Sequence, residues 1–132
     1  PLRKIASGGE MSRISLAIQV ICKDEKTIPT LIFDEVDAGI GGSIAEIVGN
    51  LLNKLALNHQ VFCVTHLPQV ASQGNHHLQV QKSTSKKTTM TSVKELSMDE
   101  KVEEIARMLG GVKISDKTRA HALEMLNQES VN

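Results

Sequence analysis

Three short segments carry residues whose types and order suit phosphate chemistry. The first is Leu31-Ile32-Phe33-Asp34-Glu35, an apolar run closed by two carboxylates. A strand in a parallel sheet delivers its last residues to the carboxyl edge, where open α/β folds bind ligands. A carboxylate there can hold Mg²⁺, which prefers hard oxygen ligands and phosphate company, and Asp34 is the candidate. Glu35, one residue later, points in a different direction and can polarise a water for attack on a phosphoryl group. The bland alternative is a strand that ends in polar residues at a turn.

The second segment is Ser7-Gly8-Gly9-Glu10, which opens a helix. Free backbone N–H groups and the positive end of the helix dipole make such a start an anion site. Glycines at its second and third positions would let a phosphate approach the backbone closely. Ordinary capping explains Ser7 and Glu10 but does not require two glycines in succession. The third segment is Thr65-His66, directly after the apolar run Val61 to Val64. A histidine at that edge can hydrogen-bond a γ-phosphate or the attacking water; standing alone, it reads equally as a surface histidine without a role. His59, His76, His77 and His121 carry no such pattern, and no Asp, Glu or Cys cluster beside His76-His77 supports a metal.

These segments need elements to position them. Met11, Ile14, Ala17, Ile18 and Ile21 recur at helical spacing after the S-x-x-E box and predict the inward stripe of a helix fading near Lys26. Thr30 to Phe33 reads as a buried strand. Asp37 to Gly42 is a glycine-rich loop, and Ile44, Ile47, Val48, Leu51, Leu52 and Leu55 form the stripe of a second helix. Val61 to Val64 is the next strand. Strand, helix and strand, with both strands apolar on every side, predict the βαβ unit of a parallel sheet. The texture then changes. His77 to Lys82 and Thr88 to Leu96 predict a solvent-facing antiparallel hairpin with a polar turn over Ser83 to Lys87. It carries four Lys against one Glu, a net +3 over residues 76–96. Ser97-Met98-Asp99-Glu100 caps a helix lined by Val102, Ile105, Ala106 and Leu109 and stopped by Gly110-Gly111. A last helix is expected from about Ser115 to Gln128, with Ala122, Met125 and Leu126 inward. With no repeat and no low-complexity linker, one domain is expected over residues 1–132.

Composition narrows the classes. In 132 residues, Lys plus Arg is 15 and Asp plus Glu is 15, so no general polyanion-binding surface is indicated. Two Phe and no Tyr or Trp leave Leu, Ile, Val, Met and Ala to fill the core. A folded monomer of this size exposes roughly 6,800 Å², which would bury about two thirds of the chain's surface. The longest apolar runs fall short of a membrane span, and Pro1-Leu2-Arg3-Lys4 lacks the apolar stretch of a signal peptide. Cys22 and Cys63 have no paired ligand spacing and read as reduced core residues of a cytosolic protein. The chain starts without Met, one step before its richest motif, and is expected to be a piece of something larger.

Taken in order, Ser7-Gly8-Gly9-Glu10-Met11-Ser12-Arg13, Leu31 to Gly42 and Val64-Thr65-His66-Leu67-Pro68-Gln69-Val70-Ala71 resemble the C-terminal head segment of ABC/SMC-type ATPases. Glu104 to Gly111 and Thr118 to Ala122 extend the likeness to the RecN group of bacterial DNA repair proteins, over essentially the whole chain. The resemblance implies a partial P-loop NTPase head of α/β class. It makes Ser7, Gly8, Gly9 and Glu10 the signature motif, which meets the γ-phosphate of ATP held by an opposite head. It makes Asp34 the Walker B ligand of Mg²⁺, Glu35 the catalytic glutamate and His66 the switch histidine. Asp37 becomes part of the D-loop, which crosses the head–head interface.

One departure matters. No G-x-x-x-x-G-K-[ST] loop exists in the sequence, so the phosphate cradle and its Lys are missing. In RecN-like proteins that loop belongs to the N-terminal half of the head. The chain alone is therefore expected neither to hydrolyse ATP nor to bind ATP and Mg²⁺ tightly. Its implied partners are that N-terminal half, a second head in an ATP-dependent homodimer, and DNA at double-strand breaks, in the cytoplasm at the nucleoid and away from membranes. Without the other half, a sheet edge and apolar side chains would stand exposed. Two rivals remain: a DNA-binding module using Lys82, Lys86, Lys87 and Lys94, and a non-catalytic piece that completes another chain's head.

Overall fold

The computed structural model describes residues 7–22, 28–84, 88–111 and 113–127. Helix α1 (Gly8–Ile21) begins where the S-x-x-E pattern puts it: Ser7 Oγ accepts from the Glu10 N–H and Glu10 Oε2 accepts from the Ser7 N–H. It ends at Ile21, earlier than expected; Lys26 lies outside the described residues. Its packing face also differs from the expected one. Met11, Ile14, Ala17, Ile18 and Ile21 face solvent, whereas Gly9 and Leu16 are buried and Arg13 and Val20 are half-buried. These four repeat at intervals of four, three and four, a second helical face. The helix is apolar on two sides, and the packed side is the one whose small and polar residues fit the loop after the first strand.

Strands β1 (Thr30–Phe33) and β2 (Gln60–Cys63) pair in parallel, Thr30 opposite Gln60 and Phe33 opposite Cys63. Helix α2 (Gly42–Ala56) connects them. One sheet face carries Leu31, Phe33, Val61 and Cys63 toward the core; on the other, Ile32 is 72% and Phe62 42% exposed. Burial on both sides, expected from the apolar runs, is thus met on one face among the described residues. The core joins Leu16, Phe33, Val36, Ala45, Val48, Leu52, Leu55 and Val70. On α2, Ile44 and Ile47 are exposed and the inward row is Ala45, Val48, Gly49, Leu52 and Leu55. Gly49 fixes that rotation, since a Cβ there would lie 2.8 Å from Gln73 Cγ and 3.1 Å from the Gln69 carbonyl. Short helix α3 (Pro68–Ala71) supplies that neighbour.

Residues 74–132 form a second compact unit, and the division from residues 1–73 coincides with the change in texture. Strands β3 (Leu78–Thr84) and β4 (Thr89–Glu95) make the antiparallel hairpin. Ser83 and Thr84, expected in the turn, belong to the strand, and 85–87 lie outside the described residues. Helix α4 (Met98–Gly110) has the expected Ser97–Glu100 capping box and stops at Gly111, whose φ of 66° suits glycine. Helix α5 (Asp116–Asn127) is capped by Ser115 Oγ, which accepts from the Thr118 N–H at 3.2 Å. Ile105, Ala106, Ala122 and Leu126 are buried, while Val102, Leu109 and Met125 are half-buried. The accessible surface, 9694 Å², exceeds the roughly 6,800 Å² expected of a folded monomer of this size. No described helix is long and apolar enough to cross a membrane.

Candidate functional site

Parallel pairing in register makes β1 and β2 end side by side, and the Val64 N–H donates to the Phe33 carbonyl at 2.9 Å to extend the pairing by one step. Asp34 and Glu35 therefore leave β1 opposite Val64, Thr65 and His66 leaving β2. These residues and Asp37 line one cleft of about 170 Å³. The sequence-derived candidates Asp34, Glu35 and His66 thus share an edge.

Helix α1 holds the loop that carries the carboxylates. Ser12 Oγ donates to the Asp34 carbonyl at 2.7 Å, and Arg13 Nη1 donates to the Val36 and Ala38 carbonyls at 3.2 and 2.8 Å. Glu35 adopts φ 55°, uncommon for a residue with a side chain, and its own carbonyl accepts from the Ala38 N–H at 3.0 Å. Gly9 has a reason within the chain, whereas Gly8 meets only the movable end of the exposed Glu35 side chain. A Cβ on Gly8 would lie 2.7 Å from Glu35 Oε2, and one on Gly9 would lie 2.8 Å from Ala38 Cβ and 2.9 Å from the Glu35 carbonyl. This close approach of the loop after β1 is a requirement separate from the phosphate approach expected at the N–H groups of the same turn. Ser7 and Glu10 complete the first turn of α1, both exposed.

Asp37 is 1% exposed, at the back of the cleft, with its carboxylate turned to the segment that follows β2. Its Oδ2 accepts from Thr65 Oγ1 at 2.5 Å, the His66 N–H at 3.0 Å and the Leu67 N–H at 3.3 Å, with His66 Nδ1 3.3 Å away. Burial pushes its pKa up, but the bonds from Thr65 and His66 together outweigh burial and hold the carboxyl below its usual value. Thr65 was missed as a participant; a hydroxyl one residue past a strand end was the available signal. Ser12 and Arg13 were missed likewise, although polar residues in the first turns of an otherwise apolar helix mark a face with partners.

Burial, with Asp37 and Asp34 adding negative charge, pushes the Cys63 thiol up to about 12, so it stays protonated at neutral pH, whereas Cys22, expected in the core, is exposed just past the end of α1. Among the described residues no group of three or more His, Cys, Asp or Glu could hold a metal ion. Asp34 fits a different case: Mg²⁺ arriving with phosphate needs one or two carboxylates and no protein cage. In the second unit His76 Nδ1 meets Glu95 at 2.7 Å. Of the hairpin lysines, Lys94 pairs with Glu100, Lys82 is exposed, and Lys86 and Lys87 lie outside the described residues.

No family model matches the chain. It is similar to the DNA repair protein RecN of Haemophilus influenzae, 56% identical over 127 residues that make up 96% of this chain and 23% of that protein. It is also similar to RecN of Xylella fastidiosa strain 9a5c, 55% identical over 97% of this chain and 23% of that protein. The likeness reaches RecN of Bacillus subtilis at 46% identity, over 96% of this chain and 22% of that protein. The chain thus spans about a quarter of the length of these relatives, and over that quarter its similarity is to bacterial proteins named as DNA repair protein RecN.

Proposed function

We propose that residues 1–132 are the C-terminal half of an ABC/SMC-type ATPase head in a RecN-like DNA repair protein, acting in double-strand break repair and recombination. The observation that carries this reading is the common edge of β1 and β2, where Asp34, Glu35 and His66 line one cleft. Asp34 would hold Mg²⁺, which supplies charge neutralisation to the transferred phosphoryl group. Glu35 orients and polarises the attacking water, and His66 donates to the γ-phosphate or fixes that water. The first turn of α1, Ser7 to Glu10, offers backbone N–H groups to the nucleotide of a second head in an ATP-dependent homodimer.

The missing phosphate loop belongs to another part of the longer protein. This chain alone therefore does not turn over ATP, since misplacing reacting groups by about 1 Å already costs about a hundredfold. The open sheet face with Ile32 and Phe62 suits covering by that other part. DNA enters as a partner of the whole protein. The rival in which the hairpin lysines grip DNA is weakened by the pairing of Lys94 with Glu100.

The test is ATP hydrolysis by the full-length chain carrying this segment, comparing wild type with Glu35→Gln. Turnover should fall by at least about a hundredfold while ATP is still bound. Hydrolysis at the wild-type rate would remove Glu35 from the mechanism and the reading with it.

A further inference from the structure

We propose that Asp37 is a positioning residue that acts within its own chain, locking the turn Thr65–Leu67 so that the His66 ring is presented to the cleft. This rests on the hydrolytic reading of the cleft for its consequence, though not for its geometry.

Asp37 sits three residues from Asp34 yet behaves differently: Asp34 and Glu35 are exposed and Asp37 is buried. A buried carboxylate is costly unless donors surround it. Here three donors, from Thr65, His66 and Leu67, converge on one oxygen, and they come from consecutive residues about thirty positions downstream. At its far end the turn is held by Leu67, which packs against the core and whose carbonyl accepts from the Val70 and Ala71 N–H groups; between that anchor and the strand the Asp37 bonds are what order Thr65 and His66. β2 has ended at Cys63, and α3 opens on Leu67 and Pro68 with no side-chain cap. The Leu67 N–H also donates to Thr65 Oγ1 at 3.1 Å, so the hydroxyl relays the carboxylate's hold along the turn.

The His66 ring is 71% exposed, and its Nδ1 lies 3.3 Å from Asp37 Oδ2. A carboxylate at this distance draws a proton to Nδ1 and leaves Nε2 facing the ligand: in the neutral ring Nε2 accepts from the attacking water, and it donates to a phosphate oxygen only when both nitrogens carry protons. The alternative role, reaching across to a second head, would need the carboxylate to leave these donors and come to the surface.

The experiment uses the full-length chain with ¹⁵N-labelled histidine, the His66 ring signals being identified by their loss in His66→Ala. Asp37→Ala should move the His66 ring ¹⁵N shifts toward a mixture of tautomers and lower kcat by about tenfold or more with KM for ATP little changed. In the His66→Ala background the same substitution should cost nothing further, because two residues acting as one unit are not additive. Should Asp37→Ala fail to fold, Asp37→Asn keeps an acceptor oxygen and removes the charge, with a smaller ring shift and a several-fold loss expected, again absent without His66. Unchanged ring shifts, or a loss that persists in full without His66, would overturn the proposal. Ring shifts that move while His66→Ala hydrolyses ATP normally would uphold the positioning and instead refute the hydrolytic role of His66.

Discussion

At the end of β1 the carboxylates of Asp34 and Glu35 have no hydrogen-bond or ion-pair partner among the described residues. On α4, three carboxylates are each engaged. Glu104 takes two bonds from Arg107, at 2.9 and 2.7 Å, and one from Gln79 at 2.6 Å. Glu103 meets Arg119 at 2.7 Å, and Glu100 meets Lys94 and caps Ser97. Both regions are acid-rich, but the second engages three of its four carboxylates within the chain, Asp99 being the exception, and the first has left both of its own facing a cleft. Carboxylates paired within the chain serve its stability; unpaired ones held at a concave edge by other residues are free to meet a ligand.

The contrast yields a series of tests, beginning with the largest. In the full-length chain, Glu35→Gln should cut ATP turnover by about a hundredfold or more while shifting unfolding free energy by less than about 0.5 kcal/mol. Glu104→Ala should do the reverse: loss of about 2 kcal/mol, read by hydrogen exchange on α4 amides, because Arg107 and Gln79 lose their acceptor. A large activity loss from Glu104→Ala without loss of protection would break the contrast. Gly9→Ala should cost about 1–2 kcal/mol in urea unfolding and also slow turnover, since its Cβ meets the backbone of the Glu35 loop. Ser97→Ala should cost about 1 kcal/mol and leave turnover alone.

Acid sharpens the same division. Arg107, by hydrogen bonding, holds Glu104 below its ordinary value of 4.5, and Asp37 is held below 3.8. Both depressed values mean that the folded state favours the charged forms. Their stabilisation is therefore present at neutral pH and is lost as the pH falls below about 4.5 for Glu104 and below about 3.8 for Asp37. Denaturation midpoints measured from neutral pH down to pH 3 should fall through this range. The Glu104→Gln variant should lose less of its stability there than wild type does.

Much was legible because it is local. Ser7 and Glu10 are three residues apart, as are Ser97 and Glu100, so each capping box follows from chain geometry within one turn. The pairing of Asp34-Glu35 with Thr65-His66 was legible because two apolar runs around a helix leave little but a parallel pair, whose ends must coincide. The packed face of α1 was not legible, because Met11-Ile14-Ile18-Ile21 and Gly9-Arg13-Leu16-Val20 are both helical rows. The division into two units was legible only as the change of texture after residue 76, since no linker composition marks Gln73-Gly74.

The order of residues by itself determined the starts of α1, α4 and α5, the strand pair and the edge that carries Asp34, Glu35 and His66, since caps and periodicity act over a few bonds. Tertiary structure alone decided which side of α1 is covered, that Gly9 meets the Glu35 loop, and that Asp37 turns inward to Thr65, His66 and Leu67. The direction of a carboxylate depends on donors that arrive from about thirty residues away, and no local pattern encodes where those donors come to rest.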